Sequence, residues 1–227
     1  MKQTICFLIF VILGGGVLMA CDSNKKGRFV EEPLVLSVGA EHNQAACGPD
    51  VYPCGPYGTR RFQTVRDIPF VAANEAARQL GGGLLAYMHD FYKLRNLGYK
   101  LLFMQFTTGW CTHCKEQMHT LPQMVQNYGS GSSQPKVAFL VVVREDPQLE
   151  PATLEYAAEY SATYGLDPIV PVTYDSGNAF LPYMTSIGYP FNFYIRLSDM
   201  TILEYASALE TPETFSADLE RALQLVQ

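Results

Sequence analysis

Two cysteines separated by two residues, Cys111 and Cys114, constrain this 227-residue chain more than any other feature. The apolar run 101–106 before them predicts a buried strand, and residues 115–128 after them can form a helix. At the start of a helix the backbone N–H groups point outward, and the helix dipole favours a thiolate. A C-x-x-C pair at a strand-to-helix junction therefore predicts dithiol–disulfide chemistry. We expect Cys111 to attack and Cys114 to resolve the mixed disulfide.

The first twenty residues have the pattern of a secretory signal. Lys2 supplies one early positive charge, residues 5–20 are almost wholly apolar, and the small residue Ala20 precedes Cys21. The apolar stretch is shorter than the about 20 residues that a membrane-spanning helix needs. Residues 18–21 resemble the bacterial lipobox, in which the cysteine becomes the lipid-modified first residue of the mature protein. An ordinary signal peptide with a chance cysteine is the alternative.

The export signal and the charge limit the partners. We expect a lipid anchor at Cys21 that holds the protein in the bacterial cell envelope, facing the periplasm. The sequence does not distinguish anchoring in the inner membrane from anchoring in the outer membrane. The net charge of −6 argues against nucleic acid as a partner. The expected partners are protein thiols and disulfides and a redox partner of unknown identity, and no cofactor or resident metal is predicted.

The remaining cysteines form two close pairs. Cys6 leaves with the signal and Cys21 would carry lipid, so four cysteines remain in a compartment that permits disulfides. Cys47 and Cys54 flank a stretch rich in glycine and proline. This pair is interpreted as a structural disulfide that closes a small loop, and a second redox-active pair is the alternative.

The pattern along the chain predicts three parts: a signal peptide over 1–20, a tether and disulfide-stapled extension over 21–66, and a folded domain over 67–227. In the last part strand patterns alternate with helix patterns, which is typical of an α/β domain with buried parallel strands. Strands are predicted at 99–106, 136–143, 170–174, 191–197 and 201–206, and helices at about 84–94, 112–128, 151–164, 178–185 and 211–226.

This order of elements, with the C-x-x-C after the first core strand and Gly188-Tyr189-Pro190 before the hairpin, resembles the thioredoxin superfamily. The resemblance spans roughly residues 67–227. It implies a thioredoxin-like α/β fold, in which helices flank a central mixed sheet, here with an irregular N-terminal extension. The lipobox and the extra segment are most similar to the extracytoplasmic TlpA-like, or redoxin-type, bacterial lipoproteins.

The resemblance also assigns roles to residues near the cysteines. It implies that Pro190 is cis and faces the C-x-x-C, so that the backbone near Tyr189 can pair with a substrate strand. His113, between the cysteines, would stabilise the thiolate. The expected catalytic residues are thus Cys111, Cys114, His113 and Pro190, and the expected substrate-binding residues are Trp110, Thr112 and Tyr189.

The direction of electron flow stays open because two cues disagree. A histidine at position 113 resembles the oxidising, DsbA-type active site, whereas the TlpA-like resemblance favours a reductase. Thioredoxin has a buried acid that assists proton transfer. This chain has Gln105 on the strand where that acid is expected.

A hypothesis from a different class is a metal-binding or purely structural lipoprotein of the same fold. Copper would be held by Cys111, Cys114 and a distant histidine, His89 or His119, although copper chaperones of this fold usually space their cysteines by three. A peroxidase of the peroxiredoxin kind would need a threonine and a proline upstream of its cysteine. Thr107 and Thr108 are present here, but no proline accompanies them.

Overall fold

Seven strands form one mixed sheet in the computed structural model, which describes residues 47–48, 50–175, 180, 188–206 and 211–226. The strands are β1 (Pro69–Ala72), β2 (Leu85–Tyr87), β3 (Leu101–Thr108), β4 (Val137–Glu145), β5 (Val172–Tyr174), β6 (Phe191–Arg196) and β7 (Thr201–Ala206). The helices are α1 (Glu75–Gly81), α2 (Met88–Lys93), α3 (Thr112–Tyr128), α4 (Leu154–Thr163) and α5 (Pro212–Gln224), and a 3₁₀ helix, Leu94–Leu97, continues α2. The strand order is β2-β1-β5-β4-β3-β6-β7.

Parallel pairing brings several chain segments to one edge of the sheet. Strand β4 pairs parallel with β3 and with β5, so the carboxyl ends of these three strands lie at the same edge. Strand β6 is antiparallel to β3, and Phe106 pairs with Phe191, so β6 begins where β3 ends. The segment after β3, the segment after β4 and the residues before β6 therefore meet at this edge.

Both faces of the sheet are covered, which explains the continuous apolar runs of β3 and β4. One face packs against α3, α4 and α5, with Phe103 and Phe139 among its buried residues. The other face carries Leu102, Met104 and Phe106 of β3 and packs against α2. The mixed sheet with flanking helices that the sequence predicts is confirmed.

The helix boundaries follow from capping. Helix α3 spans the predicted residues, continues through Pro122 and has Cys111 as its N-cap. Helix α5 begins with Pro212 after the cap Thr211, as predicted. Helix α4 begins three residues later than predicted because the side chain of Thr153 caps it, while Pro151 forms a bridge with Glu145.

The chain before β1 packs along the outer strand of the sheet. The backbone N–H of Phe62 donates to the carbonyl of Ile202, and the N–H of Ile202 donates to the carbonyl of Gln63. The N–H of Val65 donates to the carbonyl of Met200. This segment forms no regular strand or helix over residues 50–66, in line with the prediction, yet its backbone protects the open edge of β7.

The helix predicted over 84–94 is wrong in its first part, because β2 precedes a shorter helix, α2. Ala86 is fully buried and pairs with Phe70 in the antiparallel register of β1 and β2. The backbone N–H of Tyr87 then donates to the carboxylate of Asp90, which starts α2. The strand β1 and the helix α1 were not predicted, and without β1 nothing in the local pattern favours a strand over 85–87.

Some predicted features lie outside the described residues. These are the signal peptide, the lipid-modified Cys21 and, apart from Phe180, the helix at 178–185. Among the residues that are described, no helix is long and apolar enough to cross a membrane.

Candidate active site

Cys111 and Cys114 form a disulfide at the first turn of α3, with their Cα atoms 5.3 Å apart. The side of the pair open to solvent is that of Cys111, which is 5% exposed, whereas Cys114 is 0% exposed. Both cysteines are thus largely buried, and Cys111 is the one of the two that keeps some contact with solvent. This is the asymmetry that the roles predicted for the two cysteines require.

The start of α3 provides an environment that favours a negatively charged sulfur. As the N-cap, Cys111 has a sulfur that accepts a hydrogen bond from the backbone N–H of Cys114 at 3.1 Å. The helix dipole places further positive potential at this end. After reduction, the same N–H and dipole would stabilise the Cys111 thiolate.

Trp110 lies between the disulfide and the end of β4. Its indole N–H donates to the carboxylate of Glu145 at 2.6 Å, and 41% of the residue is exposed. Its ring meets that of Tyr189 edge to face, with centroids 5.9 Å apart. Two of the predicted substrate-binding residues are thus in contact with each other at the rim of the site.

Pro190 follows a cis peptide bond and is buried at the edge of the sheet where β3 ends. Its partner in that bond, Tyr189, is half-buried. Burial raises the pKa of the Tyr189 hydroxyl, the Glu145 and Asp175 carboxylates raise it further, and Arg144 opposes them. The cis geometry is as expected. The second cis bond, Asp167–Pro168, was not predicted.

The two residues between the cysteines project into solvent. Thr112 is exposed, and the side chain of His113 is 63% exposed. The ring of His113 has Glu116 as its neighbour, with Nδ1 and Oε2 3.2 Å apart. His113 therefore lies between the two cysteines with its ring in solvent, and the ring is hydrogen-bonded to the carboxylate of Glu116.

Gly109 packs tightly against the segment after β4. A Cβ atom at this position would clash with the hydroxyl of Tyr156 and lie 2.8 Å from the backbone nitrogen of Pro147. The backbone N–H of Gly109 donates to the carbonyl of Glu145 at 2.8 Å. Burial raises the pKa of the Tyr156 hydroxyl to about 12. The loop that carries Trp110 and Cys111 is thus fixed to its neighbour.

A cluster of buried amides lies beneath α3. Gln105 is fully buried, and its register partner on β6 is Asn192. The side chain of Asn192 donates to that of Gln117 at 3.4 Å, and Gln117 lies one helical turn beyond Cys114. Because position 105 carries a glutamine instead of an acid, all three side chains of this cluster are amides and none is a carboxylate.

The two histidines considered as copper ligands do not join the cysteines. His89 lies between Asp67 and Asp90, and His119 packs against the ring of Tyr164. Within the part of the chain that the structure describes, no group of three or more His, Cys, Asp or Glu residues could hold a metal ion.

The sequence reasoning missed Glu145, Gly109 and Tyr156. Glu145 could have been found, because Arg144 and Glu145 are the charged residues that follow the long apolar run 137–143. In parallel sheets, functional groups collect at the carboxyl ends of the strands. Gly109 and Tyr156 carry no such local signal, since their contact joins segments far apart in the chain.

Comparison with known proteins supports the fold. No family model matches the sequence, and no curated protein is significantly similar to it. Among solved structures, a hypothetical protein from Sinorhizobium meliloti has a TM-score of 0.55 at 18% identity, over 75% of this chain and 85% of that one. A candidate protein disulfide isomerase from Bacteroides thetaiotaomicron has a TM-score of 0.53 at 17% identity, over 74% and 91%. The peroxidoxin BcpB from Mycobacterium tuberculosis has a TM-score of 0.53 at 11% identity, over 74% and 99%.

At these identities the likeness establishes the fold and nothing finer. Together with the strand order and the C-x-x-C disulfide at the start of α3, it confirms the thioredoxin-like fold expected from the sequence.

Proposed function

We propose that this protein is a thiol–disulfide oxidoreductase that exchanges disulfides with protein substrates through Cys111 and Cys114. The observation that carries the proposal is the disulfide at the start of α3, in which Cys111 keeps a small exposure to solvent and Cys114 has none. The fold it shares with a candidate protein disulfide isomerase agrees with this activity.

The reducing direction proceeds in two displacement steps. The Cys111 thiolate attacks one sulfur of a substrate disulfide, and the other substrate sulfur leaves as a thiolate and takes up a proton. The Cys114 thiolate then attacks the Cys111 sulfur and expels the second substrate thiolate, which leaves an intramolecular disulfide and a substrate reduced by two electrons. The oxidising direction is the reverse of these steps.

The surrounding residues have roles that follow from their positions. The N–H of Cys114 and the dipole of α3 stabilise the thiolate form of Cys111, and His113 adds positive charge when it is protonated. Trp110, Thr112 and Tyr189 contact the substrate at the rim. Pro190 fixes the backbone of residue 189, so that its N–H and C=O can pair with an extended substrate segment.

We further propose that the protein is a lipoprotein of the TlpA-like kind, anchored through Cys21 after removal of residues 1–20 and facing the periplasm. The support is the signal pattern and the lipobox. Labelling with a radioactive fatty acid tests it: the full chain incorporates label and fractionates with membranes, and Cys21→Ser does neither. A labelled Cys21→Ser chain contradicts the anchor.

The test of the activity is disulfide exchange by the full chain. Cys111→Ser abolishes exchange, Cys114→Ser accumulates a mixed disulfide on Cys111, and a Cys47→Ser, Cys54→Ser double variant keeps the activity. Retention of activity by Cys111→Ser refutes the proposal. The equilibrium reduction potential against glutathione then assigns the direction: about −120 to −180 mV belongs to an oxidant, and about −250 mV or below to a reductase.

A further inference from the structure

The amide cluster beneath α3, formed by Gln105, Gln117 and Asn192, contains polar atoms that are buried and unsatisfied. Gln105 and Asn192 are both 0% exposed. Among the described residues, neither the oxygen nor the nitrogen of the Gln105 amide has a hydrogen-bond partner, and the oxygen of Asn192 has none either. Exchanging the oxygen and nitrogen of the Gln105 amide would satisfy neither atom. Buried polar atoms are nearly always hydrogen-bonded, so three of them need a partner that the described part of the chain does not supply.

The three unsatisfied atoms belong to neighbouring side chains. Gln105 on β3 and Asn192 on β6 are register partners in an antiparallel pair, so their Cβ atoms are about 4.5–5.5 Å apart on one face of the sheet. Phe103, two residues before Gln105, marks this face as the one that packs against α3. The amide nitrogen of Asn192 donates to the Gln117 side chain of α3 at 3.4 Å. The unsatisfied atoms therefore face the space between the sheet and α3.

The same space adjoins the buried sulfur of the disulfide. Cys114 and Gln117 are three residues apart on α3, so their side chains are neighbours on one face of the helix, and both are 0% exposed. Met118 and Leu121 continue this face and belong to the buried cluster on the same side of the sheet. The amide cluster therefore lies on the buried side of Cys114.

One water molecule has the hydrogen-bonding groups that these atoms need. A buried water typically makes about three hydrogen bonds to polar groups that otherwise lack partners. The oxygens of Gln105 and Asn192 can accept its two hydrogens, and an N–H of Gln105 can donate to its oxygen. One lone pair of the water then remains for a further donor. The S–H of Cys114 is such a donor, and it exists only when the disulfide is open.

We infer that Gln105 and Asn192 bind one water molecule beneath α3, and that this water accepts a hydrogen bond from Cys114 when the pair is reduced. The two amides are positioning residues that act on Cys114 through the water. The inference rests on the proposed disulfide exchange and deepens it, because it names residues that set the reduction potential. Since the disulfide form has no S–H to donate, the hydrogen bond favours the reduced form and raises the potential.

The test replaces Gln105 by an apolar side chain of similar size, Gln105→Met, in the full chain. Oxygen-17 magnetic relaxation dispersion counts the long-lived internal waters, and we expect one fewer in the variant. Titration with glutathione measures the potential: two glutathione thiols give two electrons to the Cys111–Cys114 disulfide and become glutathione disulfide, and Cys114 takes up a proton. We expect the equilibrium constant for this reduction to fall about fivefold, which is about 20 mV toward a more negative potential.

Gln123 offers a matched control for Gln105. It lies on the exposed side of α3, where its amide donates to Asn127, so Gln123→Met makes the same replacement away from the cluster. We expect Gln123→Met to change neither the number of internal waters nor the reduction potential. Asn192→Leu removes the third atom of the site while keeping the shape of the side chain, and it should change both measurements in the same direction as Gln105→Met.

Each outcome decides the inference. Loss of one water together with a lower potential in Gln105→Met supports it, and if that variant does not fold, the same two measurements on Asn192→Leu decide. An unchanged number of waters overturns the water site, and a lost water with an unchanged potential overturns its action on Cys114. In both cases the proposed function stands. A Cys111–Cys114 pair in the unaltered chain that never equilibrates with glutathione overturns the proposed function and this inference together.

Discussion

The indole N–H of Trp110 donates a hydrogen bond to the carboxylate of Glu145, with the two atoms 2.6 Å apart. Trp110 directly precedes Cys111, and Glu145 is the last residue of β4, so this contact joins two loops of the candidate active site. Hydrogen bonds to ionised groups are stronger than neutral ones. The contact therefore holds a half-exposed aromatic ring in a fixed position beside Tyr189.

Glu145→Ala removes the acceptor and frees the indole ring. We expect stronger quenching of tryptophan fluorescence by acrylamide, and a several-fold fall in kcat/KM for disulfide exchange. The free energy of unfolding changes by only about 1 kcal/mol because the contact is at the surface. Trp110 is the only tryptophan, so the fluorescence reports this site alone. Glu150→Ala in the same loop serves as the control, and unchanged quenching in Glu145→Ala contradicts the prediction.

Gly109→Ala inserts a methyl group where the hydroxyl of Tyr156 and the backbone of Pro147 leave no space. We expect a loss of about 1–3 kcal/mol in unfolding free energy, measured by urea denaturation, and slower exchange because the Cys111 loop must shift. Gly83→Ala is the control, since a Cβ there meets no atom within 4 Å. A second change, Tyr156→Phe, removes the clashing hydroxyl and restores part of the loss. A neutral Gly109→Ala refutes the tight contact.

The part of the fold that follows from local pattern could be predicted from the sequence. Helix α3 was predicted with its observed bounds because an apolar strand, the C-x-x-C pair and a helical stretch follow one another. Strands β3 and β4 are covered on both faces, and burial on both faces gives the long apolar runs that mark them. The hairpin of β6 and β7 has a short turn between two apolar segments.

What could not be predicted depends on pairing between distant segments. Strands β1 and β2 have three or four residues each, and only their mutual pairing and that of β1 with β5 make them strands. The two cysteines were predicted from their spacing, whereas Glu145 and Gly109 enter the candidate site through contacts between two loops. Such contacts leave no periodic pattern in the sequence.

The Cys47–Cys54 disulfide closes a loop in which the two cysteines are seven positions apart. Because we interpret it as structural, a Cys47→Ser, Cys54→Ser double variant should lose about 2–3 kcal/mol of unfolding free energy, since the bond restricts the unfolded chain. Urea denaturation measures the loss, and peptide-disulfide exchange at 25 °C should be unaffected. Loss of exchange by a chain that remains folded contradicts the structural role and favours a second redox pair.

The ionisation of Asp199 makes the stability of the folded protein depend on pH in the acidic range. Burial raises the pKa of its carboxyl, but hydrogen bonds from Arg196 and Thr201 outweigh burial, so the pKa lies below its ordinary value. The stabilisation is therefore fully present above the unfolded pKa of about 4 and lost as the pH falls through the folded pKa. Asp199→Asn should reduce the thermal midpoint at pH 7 and match the unaltered chain near pH 2. A constant difference across this range contradicts the assignment.

Asn74 joins three parts of the fold through one buried side chain. Its amide group donates to the Ser161 hydroxyl and the Val170 carbonyl, and its oxygen accepts from the N–H groups of Ala77 and Val172. Asn74→Ala leaves all four groups without this partner, so we expect a loss of about 3–4 kcal/mol in unfolding free energy by urea denaturation. Asn96→Ala at an exposed position changes it by less than about 0.5 kcal/mol. A loss in Asn74→Ala no larger than that of the control would mean that the network contributes nothing to stability.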